Sequence, residues 1–537
     1  MLALLFACSQ AIEVPPEAVV GLEVQPAAQV IITGPSGGEA VQFSASARTE
    51  DGALEPVALV EWSVSNLSAG TIDEAGLFLP STNNGGETWV TARFNGVEAQ
   101  ASLSVIYQER IVEEGANPGL FTGGASDGGD LWLYPEDGVN IPRNTPSIDF
   151  QWSDLAADTY RLELRSASTD LTVFTTAPGW EAAADLWTAI VATNAGGEVE
   201  LDLTAATADG LVSSAPLRVA VNRMDAAGSI LYWSTSTQGF MKIPYGDESE
   251  EFLTVNQTGR CQGCHAVSSE GLFAFTYDGG NGPLGVKTLG LDDVMPPENT
   301  TFFGNFKSFS PDSDYLITTY GGALLLYDGR TSEYLHDVPL PEGTFATHVD
   351  WSPDGDRLVV TLHDGGEGWA DWVLTSGGRI AVMDHLGDGG FGTPEVLHDP
   401  DDPFRAYYPT WSPDGRWIAF NVSTGDAYDD PDAELWVIDG DGGDPVLLEA
   451  ANQVGELSNS WPRWGPLPDD DILWLTFASR RAYGRYSDPE LPNPQIWVAG
   501  FDPRLARQGE DPSWPAFWLP GQDIIQNNHI PLWADIP

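Results

Sequence analysis

The stretch His348-Val349-Asp350-Trp351-Ser352-Pro353-Asp354-Gly355 decides the fold, because it recurs along the C-terminal half of the chain. A second copy, YPTWSPDG, occupies residues 408–415, and a looser copy, FSPDS, occupies residues 309–313. Ser-Pro-Asp-Gly is favourable turn chemistry, since proline presets φ, aspartate caps the turn and glycine accepts a positive φ. Each copy is followed by two short β-forming runs, so the repeat predicts a series of strand–turn–strand units.

Three further copies are degenerate. Pro462-Arg463-Trp464 and Pro531-Leu532-Trp533 keep the Pro-x-Trp core, and residues 268–271 align with the turn. The anchor positions of the six copies are then Val267, Phe309, Trp351, Trp411, Trp464 and Trp533. Repetition at these intervals resembles the WD40-like blades of the TolB family of propellers, which implies a six-bladed β-propeller over residues 228–537. Because little chain follows Trp533, we expect one C-terminal strand to close the ring against strands near residue 230.

The N-terminal part of the chain carries short alternating segments between turn signals, typical of β-sandwiches. Residues 17–107, and Trp62 to Phe78 in particular, resemble bacterial Ig-like domains. Residues 130–227, with Trp152 and Tyr160 on successive predicted strands, resemble a fibronectin type III or Ig-like sandwich. Residues 108–129 are a linker by composition. The predicted fold is all-β: two Ig-like or fibronectin-like sandwiches followed by a six-bladed β-propeller, with the sandwiches as spacers.

The segment Cys261-Gln262-Gly263-Cys264-His265 has the spacing of c-type haem attachment. Each thiol can form a thioether with one haem vinyl group, and His265 can ligate the iron as the proximal ligand. A disulfide, a redox Cys-x-x-Cys and half a zinc site are the alternatives, although zinc needs two more ligands and no second Cys/His cluster exists in the sequence. The flanking residues predict strands, so one covalent haem c would be grafted on the propeller.

A distal iron ligand is harder to place from sequence. His529 lies four residues before Trp533 in the blade next to the haem motif, and it is the candidate for the sixth ligand. His348 and Met241 are alternatives, as is an open or water-filled position. His529 is also compatible with an ordinary turn histidine. The remaining histidines are predicted to be surface turn residues: His336, His363, His385 and His398.

The formal charge is -56, from 79 acidic and 23 basic residues. Such a surface repels nucleic acids and anionic lipid headgroups, so neither is an expected partner. Acidic turns at residues 399–402, 426–432 and 439–441 carry oxygen ligands that suit calcium, a second candidate cofactor. None of them has EF-hand spacing, which favours solvated turns. The chain contains no Gly-x-Ser-x-Gly elbow and no apolar run long enough for a transmembrane helix.

The first eight residues, MLALLFAC, resemble a bacterial lipoprotein signal in which Cys8 is lipidated, although no basic residue precedes a rather short apolar run. Residues 1–16 would then be signal and tether, and the protein would contact the membrane only through its lipidated N-terminus. The resemblance implies a periplasmic or surface-exposed protein anchored at the outer membrane. Two functions follow as hypotheses, an electron carrier and a binding protein, neither of them an enzyme. The first is a haem c electron-transfer protein with a redox or envelope partner. The second is a TolB-like envelope binding or scaffold protein with a disulfide and no haem.

Overall fold

The computed structural model describes residues 19–57, 59–280, 282–295, 302–365, 377–428, 430–467, 472–487 and 493–536, and Cys8 lies outside them. The chain divides into two compact units. One unit contains the residues up to Trp132 together with Ser147–Met224. The other contains Leu133–Pro146 and everything from Asp225 onward. The predicted all-β class is confirmed, since strands dominate both units.

Twenty strands precede the propeller in the described part of the chain: β1 (Val19–Gln25), β2 (Ala28–Thr33), β3 (Val41–Gln42), β4 (Ser44–Thr49), β5 (Leu54–Pro56), β6 (Glu61–Val64), β7 (Gly70–Ile72), β8 (Leu77–Pro80), β9 (Gly86–Phe94), β10 (Val97–Val112), β11 (Ser126–Asp127), β12 (Trp132–Tyr134), β13 (Val139–Ile141), β14 (Asp149–Trp152), β15 (Thr159–Arg165), β16 (Thr169–Thr175), β17 (Gly179–Glu181), β18 (Gly197–Thr207), β19 (Gly210–Ser213) and β20 (Leu217–Val221). The short helices within the described residues are Pro118–Leu120, Ala184–Thr193, Val255–Thr258, Glu449–Asn452, Gly484–Tyr486 and Pro503–Ala506.

Strand β10 connects the two sandwich regions of the first unit. It pairs antiparallel with β9 over Val97–Val105 and parallel with β16 over Tyr107–Val112. The segment predicted as a linker from residue 108 therefore begins inside a strand. The alternating residues of this segment were compatible with a linker or with a strand. Pairing with a strand that is distant in sequence made it a strand. In the second region, the rings of Trp152 and Tyr160 are in contact, with centroids 5.5 Å apart.

The propeller strands form six sheets, one per blade, within the described residues. They are β21 (Ser229–Ser234), β22 (Gly239–Pro244) and β23 (Glu250–Leu253) in blade 6; β24 (Gln262–Val267), β25 (Leu272–Tyr277), β26 (Leu284–Thr288) and β27 (Asp293–Met295) in blade 1; β28 (Lys307–Phe309), β29 (Tyr315–Tyr320), β30 (Ala323–Asp328) and β31 (Tyr334–Val338) in blade 2; β32 (Phe345–Trp351), β33 (Arg357–His363), β34 (Arg379–Gly387), β35 (Gly390–Phe391) and β36 (Glu395–His398) in blade 3; β37 (Arg405–Trp411), β38 (Trp417–Ser423), β39 (Glu434–Asp439) and β40 (Val446–Leu447) in blade 4; β41 (Ser460–Trp464), β42 (Leu473–Ser479), β43 (Gln495–Phe501) and β44 (Phe517–Trp518) in blade 5; and β45 (Asn528–Ala534), which completes blade 6.

The ring closes as the sequence predicts. Strand β45 pairs antiparallel with β21, so the end of the chain supplies the innermost strand of the blade that began near residue 229. The six innermost strands contact one another in order, and β45 contacts β24. Closure of this kind leaves no blade at a free end of the ring.

The predicted anchors lie at or near the C-terminal ends of the inner strands, and the turns that follow the anchors of blades 1 to 4 share one hydrogen-bond pattern. The amide of Gly355 donates to the carbonyl oxygen of Ser352 at 3.0 Å, and Gly415 donates to Ser412 at 2.9 Å. The same bond joins Gly271 to Ser268, at 3.1 Å, in the copy that lacks proline and aspartate. Between neighbouring blades, apolar side chains form continuous layers, as between blades 2 and 3, where Trp351 is buried. The core of the propeller is thus the set of blade-to-blade interfaces.

Candidate functional site

The inner strands of blades 1, 3, 4 and 5 contain a β-bulge that changes the direction of one side chain in each. The pairing register shifts between Gly263 and Ala266 in blade 1, and equivalent shifts occur in blades 3, 4 and 5. The residue three positions before the anchor has a positive φ in five blades: Cys264 (40°), His348 (45°), Tyr408 (52°), Trp461 (60°) and Ile530 (57°). A non-glycine residue at positive φ is strained. Its recurrence at one repeat position indicates that the bulge is a feature of this propeller.

Side chains from different blades meet at this position. The ring centroids of Phe306 and His348 are 4.2 Å apart, those of His348 and Tyr408 are also 4.2 Å apart, and those of Tyr408 and Trp461 are 3.8 Å apart. These residues come from blades 2, 3, 4 and 5, so they meet at the axis. A signal for this layer was present in the sequence and was not among the predicted features: an aromatic residue or histidine stands three positions before the anchors of blades 2 to 5.

A cavity of about 270 Å³ lies above this aromatic layer, at the mouth of the ring where the inner strands begin. Its walls are mainly apolar and aromatic: Trp233, Phe306, Tyr428 and Trp461. Both thiols of the motif, Cys261 and Cys264, line it as well, and so does His529. The structure therefore brings together three of the predicted site residues from the two ends of the propeller sequence.

The two cysteines are free thiols in different surroundings. Cys264 is buried, and its Sγ donates to Asn305 Oδ1 at 2.8 Å. A Cβ added at Gly280 would lie 3.4 Å from this sulfur, so a larger residue at this position would make the cavity smaller. Burial raises the pKa of Cys264, while the positive charge of Lys307 lowers it. Burial also raises the pKa of the half-buried Cys261, with a further contribution from Asp278, so both groups are protonated thiols near neutral pH.

His265 lies outside the cavity. Its side chain is 8% exposed and packs against Phe240 and Phe273, with ring centroids 4.4 and 5.9 Å apart. Neither ring nitrogen makes a well-formed hydrogen bond. Burial first, then the charges of Lys307 and Arg463, lower the pKa of His265 to about 3, and the nearby Leu231 backbone opposes the shift. Cys264 therefore faces the cavity, whereas His265 packs among phenylalanine rings.

The other candidate ligands are distributed as follows. His529 is 6% exposed, and its ring centroid lies 4.9 Å from Trp233 and 6.1 Å from Tyr428, both cavity residues. His348 lies in the aromatic layer below the cavity and contacts Phe306. Met241 is on β22, paired with Tyr232, and does not line the cavity.

Two of the histidines predicted to lie at the surface differ in burial. His336 is exposed, as predicted. His363 is fully buried and its ring stacks on Phe345, so its prediction as a surface turn residue is wrong. It is the last residue of β33, where the pairing with Phe345 on β32 extends one position further than the hydrophobic pattern indicated.

The acidic turns do not gather into a metal site in the part of the chain that the structure describes. Within it, no three His, Cys, Asp or Glu side chains come together as metal ligands. Part of the acidic segment 426–432 lies outside the described residues. Every helix within the same ranges is too short or too polar to span a bilayer.

No family model matches the chain, and no curated protein matches it. Similar solved structures include TolB from Acinetobacter baumannii, at 16% identity and a TM-score of 0.39, over 63% of this chain and 79% of that chain. A putative TolB from Agrobacterium tumefaciens has 17% identity and a TM-score of 0.34, over 55% and 89%. Hydrazine synthase from Kuenenia stuttgartiensis has 13% identity and a TM-score of 0.32, over 50% and 72%. The likeness is weak, and the six-bladed propeller is established by the strand pairing of this chain.

Proposed function

We propose that the chain is an exported c-type haem protein that takes part in electron transfer, with one haem c attached through Cys261 and Cys264. The supporting observation is that both thiols lie in the wall of one aromatic cavity. A porphyrin is a flat apolar macrocycle, and aromatic walls such as Trp233 and Trp461 suit its faces. Haem, when bound, supplies one-electron chemistry, and the protein sets its potential through the axial ligand and burial.

The axial ligand that we propose is His529, in place of His265. His529 lines the cavity with the two thiols, whereas His265 lies on the other side of β24 among phenylalanine rings. Ligation by His265 would require the strand to turn at Cys264 and would leave a void beside Phe240. His529 would therefore hold the iron, and His265 would act as a packing residue.

The proposal places the protein in the cell envelope, because covalent haem attachment takes place after export. Lipidation of Cys8 would anchor it, in keeping with the resemblance of residues 1–8 to a lipoprotein signal. Its redox partner would be another envelope protein. The acidic surface, with a formal charge of -56, favours a basic docking face on that partner.

An absorbance spectrum tests the proposal. Full-length protein produced with haem-attachment machinery should keep its Soret band after denaturation and acid extraction, and the Cys261→Ala/Cys264→Ala variant should be colourless. His529→Ala should remove the assigned ligand and shift the Soret band, and added imidazole should restore the wild-type spectrum, while the matched control His265→Ala should keep the wild-type spectrum. The reverse pattern for the two histidines would contradict the assignment of His529.

The second candidate function is a non-catalytic envelope binding protein without haem. The position of His265 favours it, since one of the three groups of the attachment motif does not reach the cavity. Its ligand would then be a small aromatic molecule held by the cavity walls. Colourless wild-type protein from cells that attach haem to other cytochromes would support this alternative. Titration of the Cys261 and Cys264 thiols before and after reduction would show whether they form a disulfide.

A further inference from the structure

Three neighbouring strands of the first unit, β2, β10 and β9, carry large apolar side chains on their outer face. Val30 and Ile32 on β2 are 61% and 56% exposed, and Trp89 on β9 is 52% exposed. The residues that alternate with them face inward, since Ile31 and Val90 are buried in the core of the sandwich. The water-facing side of such a sheet normally carries polar side chains. Exposed β-branched and indole side chains on one face therefore mark it as a contact surface.

The pairing register places Val30 and Trp89 on either side of β10. Ser104 on β10 pairs with Val30 on β2 and with Glu87 on β9, so β2 and β9 lie on opposite sides of this strand. Ser102, which pairs with Trp89, is two positions before Ser104 and faces the same side of the sheet. The side chains between Val30 and Trp89 are therefore small hydroxyls.

An open cleft of about 450 Å³ lies where these small side chains separate the larger ones. Val30, Trp89, Ser102 and Ser104 all line it. Of its lining residues, Glu87 alone is charged. One face thus presents a projecting indole ring and, beside it, a hollow that is almost free of charge.

The low charge of this face separates it from the rest of the chain, which has 79 acidic residues and a formal charge of -56. Two copies of such a chain repel each other wherever their acidic surfaces meet, and they approach most easily through uncharged faces. A basic partner would find only the carboxylate of Glu87 here. The charge distribution therefore favours a second copy of this chain as the occupant of the cleft.

We propose that two copies of the chain form a two-fold symmetric dimer through this face, with Trp89 of each copy in the cleft of the other. A two-fold interface uses the same patch on both copies, so the patch has to contain both a projecting group and its receptor. Trp89 and the hollow over Ser102 and Ser104 meet this requirement. A tryptophan in such a position commonly contributes a large share of the binding free energy.

The size of the face sets the expected affinity. Strands β2, β10, β9 and β6 lie about 4.8 Å apart and rise about 3.3 Å per residue, which gives a face of roughly 20 by 30 Å. This size is near the lower limit for a specific interface, so we expect a dissociation constant in the micromolar range. The dimer does not depend on haem attachment, because the face belongs to the first unit and the thiols to the second.

Sedimentation equilibrium of the full-length protein, over a series of micromolar concentrations, tests the proposal. We expect a monomer–dimer equilibrium in the wild type. Trp89→Glu should raise the dissociation constant by more than about thirtyfold, because it removes the indole and adds a charge to each copy. The matched control is Leu386→Glu, which adds the same charge at a side chain of β34 that is 69% exposed, and it should dimerise as the wild type does.

Salt provides a second measurement on the same samples. Added NaCl screens the repulsion between two acidic chains and leaves apolar contacts intact, so the wild-type dimer should become tighter. A monomer at every concentration, or an equal dissociation constant for the wild type and Trp89→Glu, would overturn the proposal. Association that weakens with salt would do the same, since it would indicate an ionic interface elsewhere. If circular dichroism shows that Trp89→Glu is unfolded, Val30→Glu replaces it in the comparison.

Discussion

Replacing His265 by phenylalanine should make the stability of the protein less sensitive to acid. In the folded state His265 is buried between Phe240 and Phe273, and its pKa is lowered to about 3, chiefly by burial. In the unfolded chain the pKa of the imidazole is near its ordinary value of 6.5. Above pH 6.5 the ring is neutral in both states. As the pH falls below 6.5, the unfolded state takes up a proton that the folded state cannot accept, so the free energy of unfolding decreases until about pH 3.

The expected magnitude follows from the two pKa values. At pH 4.5 the unfolded imidazole is protonated and the folded one is still neutral, a span of two pH units at about 1.36 kcal/mol each. His265 should therefore cost the wild type about 2.7 kcal/mol between pH 7 and pH 4.5. The phenylalanine ring introduced by His265→Phe does not titrate, so this part of the acid sensitivity should disappear. Carboxylates elsewhere titrate equally in both proteins and cancel in the comparison.

Urea unfolding at pH 7 and pH 4.5, on protein made without haem attachment, measures the effect. The quantity to compare is the decrease in the free energy of unfolding from pH 7 to pH 4.5, in the wild type minus that in the variant. Any change in packing that is present at both pH values cancels in this difference. His265→Gln is the control, because it changes the packing in another way and shares the loss of titration; its pH profile should run parallel to that of His265→Phe. Equal pH dependence in the wild type and both variants would refute the buried, neutral His265.

Two further predictions concern the inner strands. Asp350→Ala should lower the free energy of unfolding by about 3 kcal/mol, because it leaves Ser308, Thr410 and the Trp411 amide without their acceptor. Asp350→Asn should lower it by less. A loss below about 1 kcal/mol in urea unfolding of Asp350→Ala would contradict this connection between blades 2, 3 and 4. Burial lowers the pKa of Lys307 from 10.5 to about 8. Between pH 8 and pH 10.5 the folded state has therefore lost the Lys307 proton while the unfolded state still binds it. Over this range the free energy of unfolding of the wild type should rise relative to that of Lys307→Met, by up to about 3.4 kcal/mol. Alkaline urea titrations that stay parallel for the two proteins would show that Lys307 is not buried as described.

The repeat made the propeller predictable from the sequence. Ser-Pro-Asp-Gly turns are local chemistry, so the copies at 352–355 and 412–415 indicated the end of each inner strand without any tertiary information. Spacing between the anchors then indicated the number of blades, and the short remainder after Trp533 predicted that β45 closes the ring on β21. Turns of this kind can be predicted from the sequence because their hydrogen bonds join residues only a few positions apart.

The boundary inside the first unit was not predictable in the same way. Residues 108–112 lie in β10 and pair with β16, although their composition favoured a linker. A strand edge is stabilised by a partner that is distant in sequence, and such a partner leaves no trace in the local pattern.

The candidate site likewise has features that the sequence determined and features that it did not. The sequence by itself determined that two thiols and a histidine stand at haem-attachment spacing, and that His529 belongs to the neighbouring blade. Only the tertiary structure decided that Cys261, Cys264 and His529 share one cavity while His265 does not. The physical reason is the bulge at Cys264, which interrupts the alternation of side chains along β24 and whose position is set by pairing with β25.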